Sequence, residues 1–207
     1  MLGVIALSLL VVATGVLAWR ARASSRHTPF GRVLVFGDSI TDISASMLHE
    51  RFDPSFTMTV SGVGGARATE RVASAQELTD RRPEQLIIEL GTNDVLQGTS
   101  LDDAIGAVTK IATSFPGLRC VHVVNINEQM VSFSQPDLPQ RAADMNRRIR
   151  AAAEQHGWDV VEWNTIVDRY EAAHEPDGPL TTDTVHPTAI GQELLANAYD
   201  DVMQGCR

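Results

Sequence analysis

Beyond residue 30 the chain alternates between short apolar runs and longer stretches of helical spacing. Arg32–Phe36 reads as a strand, and residues 42–51 as a helix. Phe56–Ser61, rich in Thr and Val, reads as a second strand, followed by a helical pattern over 67–80. Gln85–Leu90 predicts a third strand. Over 101–114, Leu101, Ile105, Val108 and Ile111 recur on one face, which predicts an amphipathic helix. Arg119–Asn125 predicts a fourth strand, 139–156 a helix with Ala142, Met145, Ile149 and Ala152 in register, and Asp159–Trp163 a fifth strand. A last helix is expected from Pro187 to about Met203, with the proline in its first turn. Apolar strands alternating with helices predict an α/β fold, a parallel sheet of about five strands with helices on both faces.

The stretch before residue 31 is different. Leu2–Trp19 is an uninterrupted run of 18 uncharged, mostly aliphatic residues, about the shortest that spans a bilayer. Arg20, Arg22 and Arg26 follow it. Two readings stand. One is a secretory signal, with Ala21-Arg22-Ala23 resembling a cleavage site, although no basic residue precedes the apolar run. The other, favoured here, is an uncleaved anchor whose flanking arginines favour leaving the domain on the cytoplasmic side. The protein is thus expected to be membrane-anchored through its N-terminal segment or secreted, on a side the sequence leaves open. Residues 20–30 read as a polar linker ending at Pro29, and residues 31–207 as one globular domain.

Composition narrows the function classes. With 43% hydrophobic and 21% charged residues the chain is globular. Its net charge is −9, with no basic stripe, which argues against a nucleic-acid partner. Cys120 and Cys206 are expected to be two unrelated thiols, the first packed in a strand. Two cysteines make neither a disulfide framework nor a zinc site.

The candidate chemistry lies where strands end. Ser39 follows the first strand, Gly62 the second and Asn93 the third, while Asp183 and His186 precede the last helix. Ligands of doubly wound sheets bind at the carboxyl ends of the strands, and all of these residues fall on that edge. Ser39-Ile40-Thr41-Asp42 also matches a capping box, a role compatible with a nucleophile beside a helix N-terminus. A serine hydroxyl needs a base. Of the six histidines (His27, His49, His122, His156, His174 and His186), His186 has an aspartate three residues before it. That spacing lets Asp183 meet Nδ1 and leaves Nε2 for the serine. His174, in the loop Ala172–Pro176, is not excluded. Taken separately, Asp183 reads as a turn or cap residue, and Gly91-Thr92-Asn93-Asp94 as a tight loop.

Taken together, Gly37-Asp38-Ser39-Ile40, Gly62 within Ser61–Gly65, Gly91-Thr92-Asn93-Asp94 and Asp183-Thr184-Val185-His186-Pro187 resemble the four blocks of the SGNH (GDSL-type) hydrolase superfamily, in its order. The resemblance covers nearly all of residues 31–205. It departs at Ile40, where the family has leucine, and at Ser61, where asparagine or arginine is frequent. It implies a three-layer, flavodoxin-like α/β/α sandwich. By position it makes Ser39 the nucleophile, His186 the base and acid, and Asp183 its orienting partner. Ser39 N–H, Gly62 N–H and the Asn93 amide would form the oxyanion hole. No G-x-S-x-G, HExxH, P-loop or complete GxGxxG is present, and no metal or cofactor is expected.

The expected function is a serine ester hydrolase (esterase, lipase-like or deacetylase) using an acyl-enzyme. Its partner would be a small-molecule, carbohydrate or lipid ester. An acyltransferase to a carbohydrate or lipid alcohol is the alternative, and a catalytically silent, membrane-tethered binding module the third reading. Met130, Val131 and Phe133, in the loop after the fourth strand, are expected to pack that loop onto the domain rather than line an acyl pocket.

Overall fold

The computed structural model describes residues 31–173 and 178–206. The segment read as an anchor, the linker up to Phe30 and His174 lie outside the described residues. Among those residues no helix is long and apolar enough to cross a membrane.

Five strands form one parallel sheet: β1 (Arg32–Gly37), β2 (Thr57–Gly62), β3 (Gln85–Glu89), β4 (Cys120–Val124) and β5 (Asp159–Val161), in the order β2-β1-β3-β4-β5. The helices are α1 (Ser39–Phe52), α2 (Ala68–Glu77), α3 (Thr92–Leu96), α4 (Leu101–Thr113), α5 (Leu138–His156), α6 (Trp163–Ala173) and α7 (Ala189–Gly205). Strand residues alternate between the two faces. Leu34, Phe36, Leu86 and Ile88 pack with apolar residues of α2, α4 and α5. Val33, Val35 and Ile87 pack with those of α1, α6 and α7. This is the expected three-layer sandwich. The winding reverses between β1 and β3, and that switch point opens a crevice at the carboxyl ends of those two strands.

Local chemistry moves several predicted boundaries. The N-cap of α1 is Asp38, whose carboxylate accepts from Ile40 N–H at 3.0 Å, so Ser39 is the first helical residue and not the cap. Trp163 starts α6 instead of ending β5, and that helix runs to Ala173, into the stretch Ala172–Pro176 read as loop. Pro187 lies before α7, in a β-bridge with Thr181, and Thr188 caps the helix by accepting from Gly191 N–H. Gly91-Thr92-Asn93-Asp94 is not a loop but the start of α3, entered through Gly91 at φ 126°.

The cysteines overturn the expectation of separate thiols. Cys120 and Cys206 form a disulfide across 86 residues of sequence. The first residue of β4 and the residue that ends α7 meet at the edge of the sheet opposite Ser39, a proximity that only the winding creates.

Candidate active site

The structure brings the dispersed candidates together at the crevice between β1 and β3. Ser39 Oγ lies 2.9 Å from His186 Nε2. His186 Nδ1 lies 2.7 Å from Asp183 Oδ2. An Nδ1–H donating to the carboxylate leaves Nε2 as acceptor for the serine hydroxyl. Asp183 Oδ1 accepts from the backbone N–H groups of His186 (2.8 Å) and Val185 (3.1 Å), which folds the loop around its own carboxylate. Partial burial works to raise the Asp183 carboxyl, but the His186 backbone, its imidazole and Val185 N–H hold it below the ordinary carboxylate value.

Thr184, between these two residues, has φ 67°, a left-handed conformation that is costly for a β-branched side chain. The loop after β4 pins it: Asn127 Nδ2 donates to Thr184 O at 2.8 Å, and Val131 N–H to its Oγ1 at 3.2 Å. The same loop divides the three residues expected to pack together. Met130 is buried in the core as expected, whereas Val131 and Phe133 stand exposed.

Gly62 needs its missing side chain. A Cβ there would lie 2.2 Å from Asp42 N and 2.8 Å from Asp38 O, because the end of β2 runs against the first turn of α1. Asn93 is buried on α3, and its Nδ2 donates to Asp38 Oδ2 at 2.9 Å. One amide hydrogen is thus engaged and the amide plane fixed.

Beneath Ser39 lies a cluster that the sequence reading did not identify. Asp38 and Glu89 are both buried, and each carboxyl lies close enough to shift the titration of the other. Asp38 also accepts from Ile40 N–H and Asn93; Glu89 accepts from Thr41 N–H (3.2 Å) and Thr41 Oγ1 (3.1 Å). Burial raises both carboxyls above their ordinary values, and the adjacent Asp38 charge pushes Glu89 further. Two adjacent buried carboxyls do not both ionise readily, and Glu89, the one that burial and the Asp38 charge together push further up, is the member that favours keeping its proton. A signal was present: Glu89 is a charge inside the apolar run Gln85–Leu90. His122 is fully buried in β4, between Gln85 and Asp159, and its imidazole is held below the ordinary value by burial. Among the described residues no cluster of three or more His, Cys, Asp or Glu side chains is arranged to hold a metal ion.

The profile of the GDSL-like Lipase/Acylhydrolase family matches residues 35–194, a span from β1 to α7 that includes all of these side chains. The chain belongs to that family. No curated protein matches it. Among solved structures, this GDSL-family chain resembles a lipase/acylhydrolase from Enterococcus faecalis, with a TM-score of 0.71 and 16% identity over 84% of this chain and 96% of that one. A lipolytic G-D-S-L family protein from Veillonella parvula gives a TM-score of 0.69 and 18% identity, covering 82% and 96%. An acetylxylan esterase from Geobacillus stearothermophilus gives 0.66 and 19%, covering 84% and 94%. At these identities the likeness is one of fold, and its near-complete coverage of the other chains shows a family domain without a large insertion.

Proposed function

We propose that this family member is a serine ester hydrolase that works through an acyl-enzyme. The single observation that carries the reading is the continuous relay Ser39 Oγ–His186 Nε2 and His186 Nδ1–Asp183 Oδ2, at 2.9 and 2.7 Å, above a helix N-terminus. As His186 takes the hydroxyl proton, Ser39 Oγ attacks the ester carbonyl. Ser39 N–H, Gly62 N–H and the Asn93 amide stabilise the oxyanion. His186 then protonates the leaving alcohol, and the relay activates a water to release the acid. Asp183 holds the imidazole in the tautomer that this sequence requires.

The substrate class favoured is a short acyl ester, an acetyl group on a carbohydrate being the leading case. Two things support it. His186 and Asp183 are partly open to solvent, which suits an acyl group carried on a bulky alcohol, and an acetylxylan esterase is among the structural neighbours. The same openness admits water and favours hydrolysis over transfer to an alcohol.

The Cys120–Cys206 disulfide supports a site of action outside the cytoplasm. With it, the N-terminal apolar segment reads as an export signal or an anchor that leaves the domain on the outer face.

The test is hydrolysis of p-nitrophenyl esters of increasing chain length and of acetylated oligosaccharides, by wild type and Ser39→Ala, alongside fluorophosphonate labelling. The expected result is labelling and turnover by wild type that falls by roughly six orders of magnitude in Ser39→Ala, with acetyl esters preferred. An unlabelled, inactive wild type would favour the silent binding module.

A further inference from the structure

Arg71, on α2, is only 5% exposed. Its Nη2 donates to Ser61 O at 2.9 Å and to Ser61 Oγ at 2.8 Å, and its guanidinium stacks over the Phe36 ring, 4.2 Å from the centroid. Among the described residues its Nε has no hydrogen-bond partner and no carboxylate lies within ion-pair distance; the charge of Asp38 acts on it from further off. A buried arginine without an ion-pair partner is costly, and an apolar side chain would cover Phe36 at less expense. Its hydrogen bonds go to a single residue, and that residue adjoins the candidate oxyanion hole.

We propose that Arg71 is a positioning residue for the oxyanion donor at Gly62, acting through the peptide group that joins Ser61 to Gly62. The proposal rests on the serine-hydrolase reading above. In a planar trans peptide the C=O of Ser61 and the N–H of Gly62 are rigidly linked and point in opposite directions. Holding Ser61 O on a guanidinium that is itself clamped against Phe36 therefore fixes the direction of the Gly62 N–H. The bond is also charge-assisted, and a cationic donor on a peptide carbonyl polarises that amide and strengthens its N–H as a donor. Gly62 has no side chain to constrain it and ends β2 opposite Gly37 of β1, so its peptide plane is set by that pairing and by the Arg71 hold on the Ser61 carbonyl. Two of the three oxyanion donors are then held from within the domain: Asn93 by Asp38, and Gly62 by Arg71.

The experiment compares wild type, Arg71→Met and Arg71→Lys. It uses steady-state kinetics on p-nitrophenyl acetate, thermal melting, and the amide resonance of Gly62 in a 15N-labelled sample. For Arg71→Met the expected result is a roughly 10- to 100-fold fall in kcat, within the loss that follows removal of a whole donor, with KM within about twofold of wild type. The melting temperature should be no lower than that of wild type, and the Gly62 amide proton should move upfield. Arg71→Lys, which keeps one charged donor, should recover part of kcat and part of the shift. A folded Arg71→Met with kcat within twofold of wild type, or a loss confined to KM, overturns the proposal. If Arg71→Met does not fold, an Arg71→Lys protein with unchanged kcat and an unmoved Gly62 resonance overturns it equally. The resonance is read without substrate. A wild type that hydrolyses no ester therefore refutes the functional reading, while the coupling between Arg71 and Gly62 is still decided by the shift.

Discussion

Glu89→Gln tests the proton kept beneath Ser39. A glutamine keeps the shape of a protonated glutamate, and its carbonyl accepts from Thr41 N–H and Oγ1, the partners Glu89 has in the structure. Glu89 is 3% exposed, and burial first, then the neighbouring Asp38 charge, raise its carboxyl well above the ordinary 4.5. The sign follows from linkage. Above pH 4.5 the unfolded chain releases this proton while the folded protein retains it, so folding stability falls as pH rises toward the folded value. One retained proton corresponds to about 1.3 kcal/mol of stability lost between pH 5.5 and 6.5. Glutamine does not titrate, so Glu89→Gln should gain that amount on wild type over this interval. His122 and Asp183 shift in the opposite sense, but they are common to both proteins and cancel in the difference. The assay is urea unfolding of wild type and variant at pH 5.5, 6.0 and 6.5. Parallel stability curves, or a gap that closes as pH rises, would refute a protonated Glu89.

Other expectations are as direct. Asn93→Ala should lower kcat by roughly 10²–10³-fold and, by leaving buried Asp38 without one donor, cost about 1–3 kcal/mol of stability, read by unfolding. Gly62→Ala should displace the first turn of α1, since its Cβ meets Asp42 N at 2.2 Å; esterase activity should fall sharply while circular dichroism stays native. Reducing Cys120–Cys206, which closes 86 residues, should cost about 4.5 kcal/mol and lower the melting temperature by roughly 10–15 °C for a domain of this size. A scan with and without reductant checks it, and unchanged melting would mean that the crosslink contributes nothing.

Much of the molecule was legible in the sequence because local patterns carried it. Apolar runs such as Val33–Phe36 and Leu86–Ile88 are too short for helices and read as strands buried on both faces, and the spacing of α4 and α5 shows which side each helix turns to the sheet. Ser39, Gly62, Asn93, Asp183 and His186 stood out as candidates because each sits in a short motif at a strand end or before a helix. Boundaries went astray where neighbours decided them. Asp38 took the cap from Ser39 because its carboxylate also answers Asn93 across the crevice. Trp163 left β5 for α6, where it packs in the second core.

By itself the sequence determined the α/β class, the order of its strands and helices, and the candidate residues of the four motifs, because periodicity and motif are properties of consecutive residues. The tertiary structure alone decided what lies between distant residues. It set the closeness of buried Asp38 and Glu89, the Arg71 hold on Ser61, the Asn127 grip on Thr184 and the Cys120–Cys206 bond. Their physical cause is shared: the 2-1-3-4-5 winding brings strand ends, helix starts and chain terminus within hydrogen-bond or bonding reach. A carboxyl, guanidinium or thiol then takes its state from the neighbours it meets there.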